Sequence, residues 1–143
     1  MKKLALVLTV SMLPLAAIAE DYVYDPGTYW TVTAVDTHPG HFDDYLENIN
    51  GAWKKSMEML IADGKVLSYR MMYNVNGAND EPDLYLMVEW KSGAEMLDTP
   101  RSYYDAQNEK LFGSLDKGQE QNIKRGEIRT IMGETLLREI TFK

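Results

Sequence analysis

The chain has 143 residues, a length that suits one domain with a single core. Its formal net charge is −7 and it contains no cysteine. Disulfide staples, thiolate catalysis, iron–sulfur ligation and cysteine zinc sites are therefore excluded, and an acidic chain repels phosphate backbones, so nucleic acid is not expected as a partner.

The N-terminus reads as a targeting segment. Lys2 and Lys3 form a short positive region, Leu4 to Leu15 is almost unbroken apolar sequence, and Ala17-Ile18-Ala19 places small residues where a signal peptidase reads. The apolar run is short for a membrane span, which needs about 20 residues. The expectation is a secretory signal peptide over residues 1–19, cleaved after Ala19. The mature chain is then periplasmic or secreted, free of the membrane, and carries 13 basic and 22 acidic residues.

Residues 20–28 form a polar lead-in with a Pro26-Gly27 turn signal and read as a loose arm. Residues 29–143 read as a single domain. The first strand covers Tyr29 to Val35, with Trp30, Val32 and Ala34 facing one way and Tyr29, Thr31, Thr33 and Val35 the other. Pro39-Gly40 makes the turn into a long helix. Tyr45, Leu46, Ile49, Trp53, Met57, Leu60 and Ile61 recur at three- and four-residue steps along it, and Gly64 ends it. Gly51 inside that helix costs about 1 kcal/mol against alanine, which close approach of a neighbouring element would explain.

Strand two is expected over Lys65 to Val75, with Leu67, Tyr69, Met71 and Tyr73 on one face and Val66, Ser68, Arg70 and Met72 on the other. A hairpin loop, residues 76–82, leads to strand three at Asp83 to Lys91, where Leu84, Leu86, Val88 and Trp90 alternate with Tyr85, Met87 and Glu89. Ser92-Gly93-Ala94-Glu95 has capping-box form and opens a short helix through Leu97. Thr99-Pro100 reads as the N-cap and first residue of a second long helix reaching about Gln121. A polar connection follows over Lys124 to Gly133, and a last strand over Glu134 to Lys143.

The order is β-α-β-β-α-β, an α+β plan of ferredoxin-like type: a four-stranded antiparallel sheet with two helices on one face. The strand ending at Val35, Pro39-Gly40, the helix with Tyr45 and Trp53, Gly64, the strand through Tyr73 and the short helix before the second long one resemble the dimeric α/β-barrel superfamily. That group includes antibiotic-biosynthesis-monooxygenase-like, stress-responsive and muconolactone-isomerase-like domains. The resemblance implies a homodimer whose open sheet faces pack into a barrel, often around a small pocket. It transfers little function, because several activities share the fold.

The residues themselves favour binding over chemistry. Trp30, Tyr69, Tyr73, Trp90 and Arg138 are the candidate ligand-binding set for a small apolar or aromatic molecule at the inner sheet face. His41 is the candidate catalytic base in the alternative reading, a cofactor-independent monooxygenase or isomerase working with Tyr69, Tyr73 and Trp90. A third reading is a structural or interaction protein without a ligand cavity. His38, His41 and Asp44 have metal-like spacing, but Pro39-Gly40 interrupts the helical geometry such a site needs, so neither a metal nor a cofactor is expected. Arg70 and Arg138 read as rim charges paired with Glu89 or Glu139. No nucleophile elbow, Walker loop, zincin or dinucleotide motif occurs.

Overall fold

The computed structural model describes residues 22–78 and 80–143. The expected signal segment, residues 1–19, lies outside the described residues. The elements are β1 (Tyr24–Thr37), α1 (Phe42–Ala62), β2 (Val66–Tyr73), β3 (Leu84–Trp90), α2 (Gly93–Leu97), α3 (Arg101–Phe112), α4 (Leu115–Gly126) and β4 (Arg129–Phe142). The strands make one antiparallel sheet in the order β2-β3-β1-β4. This is the expected ferredoxin-like arrangement. Among the described residues no helix is long and apolar enough to cross a membrane.

α1 forms because its apolar stripe has a sheet to bury against. Tyr45, Ile49, Met57 and Leu60 are its buried residues. Asp43 and Asp44 occupy its first turn, where the helix dipole favours carboxylates. At its other end Gly64 takes φ +70°, and the N–H groups of Gly64 and Lys65 donate to the carbonyls of Ile61 and Leu60, a Schellman ending.

The core lies between α1–α3 and one face of the sheet. Val35, Tyr45, Ile49, Leu84 and Leu86 form one half. Met57, Leu60, Val66, Val88 and Trp90 form the other. Burying each such aliphatic side chain is worth about 1.5–3 kcal/mol. Trp53 packs against both halves and meets Tyr69 edge-on at 5.2 Å, so it joins them.

Several expectations need correction. The lead-in is paired from Tyr24 to Pro26. β1 starts at Tyr24 and runs beside β4, and Pro26-Gly27 marks a bulge in that pairing, not a turn. In β2 a second irregularity falls between Val66 and Ser68, so strict alternation fails there. Val66 is buried on the same face as Tyr69, and Leu67 is exposed. The second long helix is broken. Gly113 adopts φ +83°, a left-handed stop for α3, and Ser114 then caps α4 by accepting a hydrogen bond from the Lys117 N–H. Pro100 is the N-cap of α3 and helical geometry begins at Arg101. Much of the expected polar connection is the end of α4 and the start of β4.

No close approach accounts for Gly51, since a Cβ there would meet nothing within 4 Å. Replacing Gly51 by alanine therefore removes backbone entropy from the unfolded chain without steric cost. Urea denaturation of Gly51→Ala is expected to show a gain of about 1 kcal/mol in stability with an unchanged slope.

Candidate functional site

Register places side chains on faces, because directly opposed residues share one. Tyr29 pairs with both Trp90 and Arg138, Val88 with Tyr69, and Leu84 with Tyr73. Tyr69, Tyr73, Trp90 and Arg138 thus lie on the helix side. Trp30 pairs with Glu89 and Leu137 and points to the opposite, uncovered side. The five residues expected to line one pocket do not converge.

Each has a separate setting. Tyr69 meets Trp53 edge-on in the core. Tyr73 lies with Phe42, Leu46, Met71 and Leu84 around a depression of about 290 Å³ at one end of the sheet. The Arg138 guanidinium lies 4.9 Å over the Tyr29 ring and its Nε donates to the Gly27 carbonyl at 3.4 Å. Arg70 lies 5.2 Å over Trp30. Stacking on aromatic rings takes the place of the expected pairing with Glu89 or Glu139. Glu89 instead accepts from Thr28 at 2.9 Å and Ser68 at 2.6 Å.

His41 occupies the N-cap position of α1 and its Nδ1 is 2.8 Å from Asp44 Oδ2. His38 is engaged elsewhere: its ring nitrogens meet the Glu127 carbonyl at 2.9 Å and Thr130 Oγ1 at 3.2 Å, tying the βα turn to the start of β4. Trp90 packs beside Met57 and Leu60, roughly 25 Å along the α1 axis from His41. The structure does not bring the two together within one protomer.

Trp90 does border a cleft. It opens between the sheet and α2–α3, with a volume of about 500 Å³, lined by Thr31, Trp90, Met96, Leu97, Tyr104, Glu134 and Leu136. Small-molecule sites commonly span about 300–1,000 Å³ with mostly apolar walls and a few orienting polar groups. Trp90 is buried, and its indole N–H donates to Thr31 Oγ1 at 3.0 Å. Glu134 accepts from Thr33 at 3.1 Å and sets a carboxylate at the rim. The Tyr104 hydroxyl has no hydrogen-bond partner among the described residues, and its ring meets Tyr103 edge-on at 5.4 Å. Leu97, 73% exposed, forms an apolar lip. No nucleophile hydrogen-bonded to a base lines the cleft. The arrangement suits a mostly apolar molecule with a donor group aimed at Glu134.

α2 supplies one wall and is pinned from below. Ser92 caps it by accepting from the Glu95 N–H at 3.2 Å. Lys65 Nζ reaches Glu95 Oε2 at 2.6 Å and Thr99 Oγ1 at 3.1 Å, and lies 4.9 Å from the Tyr103 ring centre. The Lys65 hydrogen bond holds the Glu95 carboxyl below its ordinary value of 4.5. Met96, Leu97, Glu134 and Leu136 carried no signal in sequence as site residues. They are brought together only when α2 is folded back over the sheet edge.

Comparison with known proteins agrees on the fold. No family model and no curated protein matches the chain. Among solved structures, a dimeric ferredoxin-like protein from an uncultured marine organism aligns over 83% of this chain and 90% of its own, at 9% identity and TM-score 0.51. A nipsnap family protein from Agrobacterium tumefaciens covers 82% and 90%, at 8% identity and TM-score 0.49. A Bordetella bronchiseptica protein named as an antibiotic biosynthesis monooxygenase covers 82% and 99%, at 15% identity and TM-score 0.46. The chain has the ferredoxin-like α+β fold.

Two outcomes follow from this geometry. Thr31→Val keeps the shape but strands the buried indole N–H of Trp90, so chemical denaturation is expected to show a loss of about 1–3 kcal/mol. The folded-state value of Glu95 is depressed, so its contribution is present above 4.5 and is lost as pH falls through the folded value. NMR titration of the Glu95 carboxyl is expected to return toward 4.5 in Lys65→Met.

Proposed function

We propose that the mature chain is an exported homodimeric binding domain that holds a small, mostly apolar ligand in the cleft between the sheet and α2–α3. The observation that carries the reading is the cleft itself: a volume of about 500 Å³ walled by Trp90, Met96, Leu97 and Leu136, with Thr31, Tyr104 and Glu134 as orienting groups. It differs from the inner-face pocket suggested by residue type alone, and keeps only Trp90 of that set. Export rests on Lys2-Lys3, the apolar run and Ala17-Ile18-Ala19.

Support for the dimer comes from the other face of the sheet. Trp30, Val32, Ala34, Tyr85, Met87, Met72 and Leu137 share it by register, and no helix among the described residues covers it. β4 is an edge strand of 14 residues, exposed throughout after Arg129, with Leu136, Leu137, Ile140 and Phe142 among its exposed side chains. A long apolar edge left alone invites uncontrolled pairing. A second copy laid face to face removes that surface from water, and a solved structure of similar fold is described as dimeric.

Light scattering on the mature chain is expected to give twice the chain mass. Val32→Lys with Met87→Lys, placed mid-face, is expected to give a folded monomer by circular dichroism; a wild-type monomer at tens of micromolar would sink the dimer. For the cleft, an uncharged naphthylamine probe is expected to saturate with Trp quenching. Leu97→Asp is expected to weaken it about tenfold, since that replaces apolar wall with charge. If the probe binds wild type and Leu97→Asp alike, the cleft is not the site, and an interaction-only role becomes the better reading.

A further inference from the structure

Where α4 ends and β4 begins lies a basic pair without acids. Arg125 stands in the last turn of α4 and Arg129 opens β4. The Nε of each is buried without a hydrogen-bond partner, as is Asn48 Oδ1 on α1. Neither guanidinium belongs to any ion pair among the described residues. Arg129 lies 5.5 Å over the Tyr45 ring. The α4 dipole favours a cation at its C-terminal end, but that leaves the Nε donors unused. In a chain with 22 acidic residues against 15 basic, two adjacent half-buried arginines without a carboxylate are an unusual expense. Burial, and after it the charge of Arg129, pulls Arg125 below its ordinary value, and only Tyr45 opposes.

Arg125 also lines a half-open cavity of about 110 Å³ between α1, α3 and α4. Trp53 from α1 and Leu111 and Phe112 from α3 give it apolar walls, while Asn108 and Asn122 add side-chain amides. Arg125 and two side-chain amides beside an apolar wall match an anionic head on a short carbon body. A planar carboxylate fits the fork of one arginine, and a phosphoryl group calls for more donors than line this space.

We propose that this three-helix cavity binds a small organic carboxylate, its anionic group held by Arg125 with Arg129 adding positive field behind it, and its carbon chain against Trp53, Leu111 and Phe112. The site is independent of the sheet–α2 cleft and does not rest on that reading.

The test is a ¹⁵N NMR titration of the full mature chain with sodium butyrate, using sodium chloride at matched ionic strength and sodium phosphate as comparisons. Butyrate is expected to give saturable shifts at the Arg125 guanidinium Nη–H groups, the Trp53 indole N–H and the Asn122 amide. Arg125→Gln is expected to weaken binding about ten- to a hundredfold, since a charge-assisted hydrogen bond is lost, and Arg129→Gln to weaken it less. Should Arg125→Gln fail to fold, Asn122→Leu serves as the second variant, with the same direction expected. Shifts no larger than those of chloride would overturn the proposal. So would butyrate binding that Arg125→Gln and Asn122→Leu leave unchanged, or phosphate binding more tightly than butyrate.

Discussion

The organisation of this molecule depends on a mismatch between one sheet and its covering. The sheet carries apolar side chains on both faces, but the helices pack on only one. On that face the α1 stripe meets Val35, Leu84, Leu86, Val66 and Val88, and the core closes. On the other, Trp30, Val32, Tyr85 and Met87 are left half-buried by their own neighbours alone. That uncovered apolar surface is what supports the proposed dimer.

The covered face is itself incomplete. α1 crosses the inner strands and Trp53 locks its two core clusters together. β4, on the outer edge, receives little helix. Gly113 breaks the second helical segment, so α3 and α4 do not make one rod across the sheet. α2, held by Lys65 through Glu95 and Thr99, leans toward the gap but does not fill it. The cleft beneath Leu97 and Tyr104 is what remains. It is a product of helix lengths and one left-handed glycine rather than of any motif, and its chemistry is correspondingly plain: an indole already satisfied by Thr31, one free phenol and one carboxylate.

Much of the fold was legible because its signals are local. The α1 stripe, the Gly64 stop, the Ser92 cap and the alternation in β3 each depend on residues within a few positions of one another. What misled was strict alternation in β2, where the irregularity after Val66 reverses the faces, and the length of β1 and β4, whose extra pairing at Tyr24–Pro26 with Ile140–Phe142 needs partners more than a hundred residues apart. The site was less legible. Trp30 and Trp90 look alike in sequence, but they sit on opposite faces because β1 and β3 are in register with Tyr29, not Trp30, opposite Trp90. Arg125 and Arg129 gave no sign of their shared setting, since four residues of spacing across a helix end and a strand start fixes no mutual geometry.

By itself the sequence determined the element types, their order and the acidic, cysteine-free chemistry, because periodicity, caps and composition act through short-range backbone and solvation preferences. Only the tertiary structure decided which face α1 covers, that Trp90 and not Trp30 borders the cleft, and that Leu97, Glu134 and Leu136 join it. Those facts depend on strand register and helix placement, which are set by long-range packing and have no local code.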